Sequence, residues 1–201
     1  MNKTYTEKTI HHYNQKSESF WEGTRDHDVS QNIKAMLDAI QASPPFTILD
    51  FGCGPGRDLK TISDLGHKAI GLDGSENFVQ MAKDYSQCEV LHQNFIELDL
   101  PSEKFDAVFA NASLFHVPKE ELKSVLHKLN LALKPGGVLF SSNPRGTGEV
   151  FDFERYAHYM QLDTYQALVE AQGFQLIHHY FRPDGLPIEQ RPWLACVFRK
   201  K

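Results

Sequence analysis

Thr47-Ile48-Leu49-Asp50-Phe51-Gly52-Cys53-Gly54-Pro55-Gly56-Arg57-Asp58 is a short apolar run that ends in an acid and a Gly-x-Gly-x-Gly turn. The run reads as a buried strand, and the glycines let the backbone turn sharply and pass close to a ligand. Working outward, further strands are expected at 68–73, 88–92, 105–111 and 137–142, with the first at 46–51. Helices are expected between them, at 28–42, 57–66, 75–86 and 119–133. The last is the clearest, because Leu122, Val125, Leu126, Leu129 and Leu133 recur at helical spacing before Lys134-Pro135-Gly136-Gly137 stops it. Alternation of strands and helices predicts an α/β fold with a parallel sheet and crossover helices. An aromatic-rich insertion follows residue 142, then a helix over 163–172 closed by Gly173, and two late strands over 174–181 and 193–199.

The composition sets the outer limits. The chain has 201 residues, room for one domain with a sizeable core. Its 21 basic and 26 acidic residues leave a net charge of −5, and no block of like charge offers a grip on nucleic acid. The first twenty residues contain no continuous apolar segment of the kind that a signal peptide or anchor needs, and no stretch reaches the length of a membrane span. Cys53, Cys88 and Cys196 form neither a disulfide framework nor a metal pair, so a cytoplasmic protein with reduced thiols is expected. Adjacent pairs such as His11-His12 and His178-His179 point apart on a helix or strand, and no metal site is expected.

A second acid, Asp73 in Ala69-Ile70-Gly71-Leu72-Asp73-Gly74-Ser75, ends the second strand 21 positions after Gly52. A carboxylate there can accept hydrogen bonds from both hydroxyls of a ribose, although Asp73-Gly74-Ser75 also reads as a turn and a helix cap. A dinucleotide turn asks for glycine at the sixth position of G-x-G-x-x-G, where this chain has Arg57. Two later segments point elsewhere. Phe105-Asp106-Ala107-Val108 and Lys134-Pro135-Gly136-Gly137-Val138-Leu139, in order after the glycine turn and Asp73, resemble the motifs of the class I S-adenosylmethionine (SAM)-dependent methyltransferases over residues 47–142.

That resemblance implies a Rossmann-like, seven-stranded, mostly parallel sheet with helices on both faces and the last strand antiparallel. It also implies SAM as cofactor and S-adenosylhomocysteine as product. Gly52, Gly54 and Gly56 would wrap the methionine part of the cofactor, and Asp50 would orient the loop or reach the ammonium. Asp73 and Gly74 would hold the ribose. Asn94 stands where the family usually has an acid, and with Phe95 it would meet the adenine; the simpler reading is a turn residue and a core phenylalanine. Asn111 would lie near the methionine end. His116, in the loop after the fourth strand, is the candidate base, with a structural role as the alternative.

Residues 1–45 would supply lid helices carrying Tyr13, Phe20 and Trp21, residues 46–142 the cofactor-binding core, and residues 143–201 a substrate cap and C-terminal strands. Phe151, Phe153, Tyr156, His158 and Tyr159 in the insertion suit a small, partly aromatic or anionic substrate. An Asn-Pro-Pro-aromatic motif for adenine methylation and a Pro-Cys motif for cytosine attack are both missing. The expected protein is therefore a small-molecule methyltransferase, monomeric or homodimeric, without nucleic acid or membrane as partner. Two other readings stand beside it: a protein or RNA methyltransferase working with a partner subunit, and a SAM-binding module without turnover.

Overall fold

The computed structural model describes residues 2–152 and 154–201; Phe153 of the aromatic insertion lies outside them. Helices α1 (Asn2–Gln15), α2 (Ser17–Thr24) and α3 (Ser30–Ala39) lead into β1 (Thr47–Phe51). There follow α4 (Arg57–Asp64), β2 (Lys68–Asp73), α5 (Glu76–Ser86), β3 (Glu89–His92), β4 (Phe105–Asn111), α6 (Lys119–Ala132) and β5 (Leu133–Pro144). The chain ends with β6 (Gly148–Asp152), β7 (Arg155–Tyr159), α7 (Leu162–Glu170), β8 (Phe174–Arg182) and β9 (Trp193–Lys200). Seven strands form one sheet in the order β3-β2-β1-β4-β5-β9-β8, with β1 to β5 parallel and β9 antiparallel to both its neighbours. This is the Rossmann-like arrangement expected from the sequence, with the last strand reversed.

The strands read as continuous apolar runs because both faces of the sheet are covered. Alternate residues divide between two cores. Leu49, Val108 and Leu139 join Leu122, Val125 and Leu126 of α6, whereas Ile48, Phe109 and Phe140 join Ile33 and Met36 of α3 and Leu59 and Ile62 of α4. Each such fully buried side chain contributes about 1.5–3 kcal/mol relative to exposure.

The motif acid Asp106 has a structural task. Its Oδ2 accepts from the Thr47 N–H at 2.7 Å and its Oδ1 from Lys134 Nζ at 2.8 Å, so it ties the starts of β1 and β4 to the segment after α6. That segment, Lys134–Gly137, bulges between the paired positions Phe105–Leu133 and Ala107–Val138, so β5 begins earlier than the sequence suggested. Helix α3 is shorter than expected: Asp28 Oδ1 accepts the Ser30 N–H at 2.9 Å, and the chain turns extended at Ile40. The main element not foreseen is the β6–β7 hairpin, a two-stranded sheet of its own inside the aromatic insertion. Among the described residues no helix is long and apolar enough to cross a membrane, and no group of three or more His, Cys, Asp or Glu side chains is placed to hold a metal.

Candidate active site

The carboxyl ends of β1, β2 and β4 meet where the strand order reverses, the position at which open α/β sheets form a crevice. A cleft opens there. Its floor includes Gly52, Gly54, Asp73 and Ser113, and its sides Phe95 and His116. Gly54 has φ +52, and its N–H donates to Asp73 Oδ2 at 3.0 Å. A Cβ at Gly54 would point into open space, with the Phe20 ring 3.8 Å away and no other atom within 4 Å. Bare backbone thus lines a groove that a side chain would fill.

Asp73 closes the far side of this turn. Its Oδ1 accepts the Ser75 N–H at 2.9 Å. The Gly74 N–H also acts on this carboxylate, and because a carboxylate offers about four acceptor sites, capacity remains for a ligand hydroxyl. Burial raises its pKa to about 6, against the pull of the Ser75, Gly54 and Gly74 N–H groups. Gly74 also lines the cleft, where a Cβ would press on Ile10 of α1 at 3.0 Å.

Four of the candidate residues stand behind the cleft rather than in it. Gly56 serves helix packing: a Cβ there would lie 2.8 Å from the Ala82 Cα on α5. Gly56→Ala should therefore lower stability by about 1–3 kcal/mol through overpacking. Chemical denaturation should show the loss, and an unchanged midpoint would count against the packing role. Asp50 is buried, accepts the Leu59 N–H and leaves Oδ2 without a partner; burial, and then the charge of Asp58, push its pKa well above the usual carboxylate range.

Asn111 has both ends of its amide engaged, donating to Asp58 Oδ2 at 3.0 Å and accepting from Asn32 Nδ2 at 2.9 Å. Asn32 in turn accepts from Tyr180 Oη at 2.8 Å. Arg57 forks onto Asp58 at 2.6 and 3.1 Å and donates to the Thr24 carbonyl at 2.6 Å. This network clamps the glycine turn from behind. Asn94 accepts the Ile96 N–H at 3.2 Å and caps the turn that presents Phe95, whose ring lies 4.2 Å from that of Phe51.

His116 is buried and held at both nitrogens. Nδ1 is 2.7 Å from the Tyr156 carbonyl, which can only accept, so Nδ1 carries the proton. Nε2 is then the acceptor for the Tyr13 hydroxyl at 2.7 Å. Burial pulls the His116 pKa down to about 4, and the imidazole is neutral. Tyr13 also accepts from Arg155 at 3.3 Å, and burial raises its pKa. The Tyr156 carbonyl belongs to β7, so the unforeseen hairpin fixes the tautomer of the candidate base.

Helix α1 lies across the cleft. The Thr9 hydroxyl accepts the Tyr156 N–H at 3.0 Å, and Asn14 Oδ1 accepts from Ser75 Oγ at 2.7 Å. Ser113 and Ala112 are cleft residues that sequence reasoning did not single out. Ala112 holds φ +61 directly after β4, and Ser113 donates to the Phe51 carbonyl at 2.6 Å. Their position just past a strand end was the available signal; for Phe78, a helix residue that also lines the cleft, the sequence held none. The groove at Gly54, the acceptor capacity of Asp73 and the Phe95 ring fit a nucleoside cofactor with a slender chain, as SAM has.

The chain is similar to known methyltransferases. Residues 48–137 match the family described as "Methyltransferase domain". A 24-methylenesterol C-methyltransferase 2 of Oryza sativa subsp. japonica is 30% identical over 128 residues, 60% of this chain and 33% of that protein. The chain thus spans about a third of that relative's length. Among solved structures, the Burkholderia thailandensis 1,6-didemethyltoxoflavin-N1-methyltransferase with bound 1,6-didemethyltoxoflavin and S-adenosylhomocysteine superposes with a TM-score of 0.80 at 18% identity. That alignment covers 100% of this chain and 91% of the other. A Haloferax volcanii putative methyltransferase, solved in complex with the Trm112 methyltransferase activator, gives 0.74 at 17% identity over 93% of this chain and 96% of that one. The family match thus runs from β1 to the start of β5, and the fold of these methyltransferases is shared along the whole chain.

Proposed function

We propose that this protein binds SAM in the cleft and transfers its methyl group to a small-molecule acceptor by direct in-line displacement. The observation that carries the reading is the pairing of Gly54 with Asp73: a bare glycine groove hydrogen-bonded to a carboxylate that retains acceptor capacity, both facing the same cleft. When bound, SAM supplies an activated methyl group on a positively charged sulfur. The protein's own work is then to position, to exclude water and to manage a proton.

In this reading Asp73 accepts from the ribose hydroxyls, Gly54 leaves room for the methionine chain, and Phe95 covers the adenine. Gly52 makes room for Ser113 and Phe95, against which a Cβ there would press. Asp50, Asn111 and Asn94 act at one remove: the first two hold the glycine turn, and Asn94 holds the turn beneath Phe95. Helices α1 and α2 form the lid, and the segment from 143 onward, with the β6–β7 hairpin, forms the substrate cap. An acceptor that must lose a proton passes it to Nε2 of His116, through the Tyr13 hydroxyl that is hydrogen-bonded there or after displacing it.

Formation of S-adenosylhomocysteine in the presence of a metabolite panel tests the proposal. SAM binding without product for any acceptor would favour a module without turnover. Recognition of a macromolecule through a partner subunit is the second reading, supported by the Haloferax structure with its activator; product that forms only when a cell extract is added would favour it.

The ribose assignment has its own test. Asp73→Ala should weaken SAM binding by about 10- to 150-fold, the loss of about 1.5–3 kcal/mol for a charge-assisted acceptor. The pH dependence follows from the raised pKa of about 6. Ribose hydroxyls donate to the ionised carboxylate, so binding lowers that pKa. Affinity should be level above pH 6 and fall by up to about tenfold per unit below it. Calorimetry at pH 7.5, 6 and 5 measures both, and a flat profile with full affinity in Asp73→Ala would remove this residue from the ribose site.

A further inference from the structure

His116 is closed to direct contact at both nitrogens. Nδ1 donates to the Tyr156 carbonyl at 2.7 Å, and Nε2, the accepting nitrogen, is covered by the Tyr13 hydroxyl at 2.7 Å. A phenol has one hydrogen, and here it points at Nε2, so the Tyr13 oxygen has only lone pairs left to offer. Arg155 Nη1 donates to that oxygen at 3.3 Å, the longest of the three contacts, from an exposed position on the β6–β7 hairpin. The accepting side of Tyr13 is therefore the side that a ligand's own hydrogen can reach. Tyr13 and His116 both line the cleft, together with Gly54 and Asp73.

Tyr13 is also fixed in place. Its ring packs against those of Phe20 and Phe78 at 5.6 Å each and edge-on to that of His116 at 5.4 Å. Helix α1, which carries it, is tied to the hairpin by Thr9, which accepts the Tyr156 N–H at 3.0 Å, and by His12, whose Nδ1 lies 2.7 Å from Glu154 Oε2. On the other side of Tyr13, Asn14 Oδ1 accepts from Ser75 Oγ at 2.7 Å. A ligand thus meets this hydroxyl rather than displacing it.

Resting on the function proposed above, we infer that the Tyr13 hydroxyl is a catalytic group that relays the acceptor's proton to His116. It follows that the acceptor bears this proton, as O–H or N–H, on its attacking atom. As that atom bonds to the methyl carbon, the carbon–sulfur electron pair stays on sulfur. The acceptor's proton passes to the Tyr13 oxygen while the proton already on Tyr13 passes to Nε2. His116 ends as an imidazolium that still donates through Nδ1 to the Tyr156 carbonyl, and Tyr13 carries no charge at any point. The attacking atom gains positive charge as the methyl group arrives, which makes its proton more acidic at the moment when an imidazole of lowered basicity must take it. An acceptor with no hydrogen on the attacking atom would set one lone pair against another and is disfavoured.

Turnover of the acceptor found in the metabolite panel, measured for Tyr13→Phe, His116→Asn and the double variant, tests the relay. Phenylalanine keeps the ring and removes only the hydroxyl. Tyr13→Phe should lower turnover by ~10²–10⁴-fold with SAM affinity within about twofold. The double variant should be no slower than the slower single one, because the two residues act as a unit. Nitrogen NMR of His116 in Tyr13→Phe should still show Nδ1 protonated; a changed tautomer would make Tyr13 a positioning residue and overturn the relay. Near-normal turnover in Tyr13→Phe, multiplied losses in the double variant, or turnover confined to acceptors without O–H or N–H would also overturn it, with the proposed function intact. A wild-type protein that forms no product from any acceptor would overturn the proposed function, and the relay with it.

Discussion

Replacing Gly54 by valine is expected to give a folded protein whose affinity for SAM is lower by on the order of 100-fold or more, about 3 kcal/mol. Two features of the position combine. With φ +52, the residue sits in the left-handed region, where a side chain costs about 1–2 kcal/mol and a β-branched one more. The Cβ would also enter the cleft, where only the Phe20 ring stands within 4 Å, and the two valine methyls would fill the space between the floor and that ring. The backbone strain falls on a turn at the mouth of the sheet, whose two cores are built from β1, β4 and β5 and the helices that cover them. Circular dichroism should therefore remain native while calorimetry shows no measurable binding. A folded variant with full affinity would mean that the cofactor does not approach this turn. The neighbouring Gly56→Ala should do the opposite, lowering stability by way of Ala82 with its effect on binding secondary. The same motif thus contains one glycine for the ligand and one for the helix behind it.

That division shows where sequence reasoning stops. The glycine turn, Asp73 and the β4 and β5 motifs are legible because each function depends on residues adjacent in the chain: a strand end, a turn and the start of a helix. Gly52, Gly54, Asp73, Gly74, Phe95 and His116 do line one cleft. Asp50, Gly56, Asn94 and Asn111 belong to the same motifs but act from behind, and the reason is long-range. Asn111 is bound by Asn32 and Asp58, which lie 79 and 53 positions away, and Gly56 is shaped by Ala82 on the next helix. The β6–β7 hairpin was hidden for a different reason. It pairs only with itself; β6 leaves Val150 and Phe151 exposed, and β7 buries just Tyr156, Ala157 and His158, a stretch too short and too polar to read like the apolar runs of the main sheet. Its contribution to the site is a backbone carbonyl, that of Tyr156, which no side-chain pattern can announce.

The same carbonyl governs the last prediction. If the acceptor must lose a proton, His116→Ala should lower turnover by ~10²–10⁴-fold with little change in SAM affinity. A histidine with an ordinary pKa would give a rate rising with pH through about 6.5. The structure moves that limb, because burial lowers the His116 pKa to about 4 and the ring is neutral from pH 5 upward. Across pH 6–9 the rate should therefore be flat as far as this residue is concerned. Folding stability carries the signature instead. A histidine whose folded pKa lies below its unfolded value binds its proton more readily when unfolded, so stability should fall as pH drops from about 6.5 to about 4, by up to about 3 kcal/mol. Alanine leaves the Tyr156 carbonyl without a donor, and some loss of turnover could come from that alone. His116→Asn separates the causes, since its amide can still donate to the carbonyl but cannot take up a proton. Equal turnover loss in Ala and Asn, together with a flatter stability profile between pH 6.5 and 4 in Asn, would assign proton acceptance to His116. Recovery of near-normal turnover in His116→Asn would reduce the residue to holding Tyr13 and the hairpin in place, and would mark the acceptor as one that presents a free lone pair and needs no base.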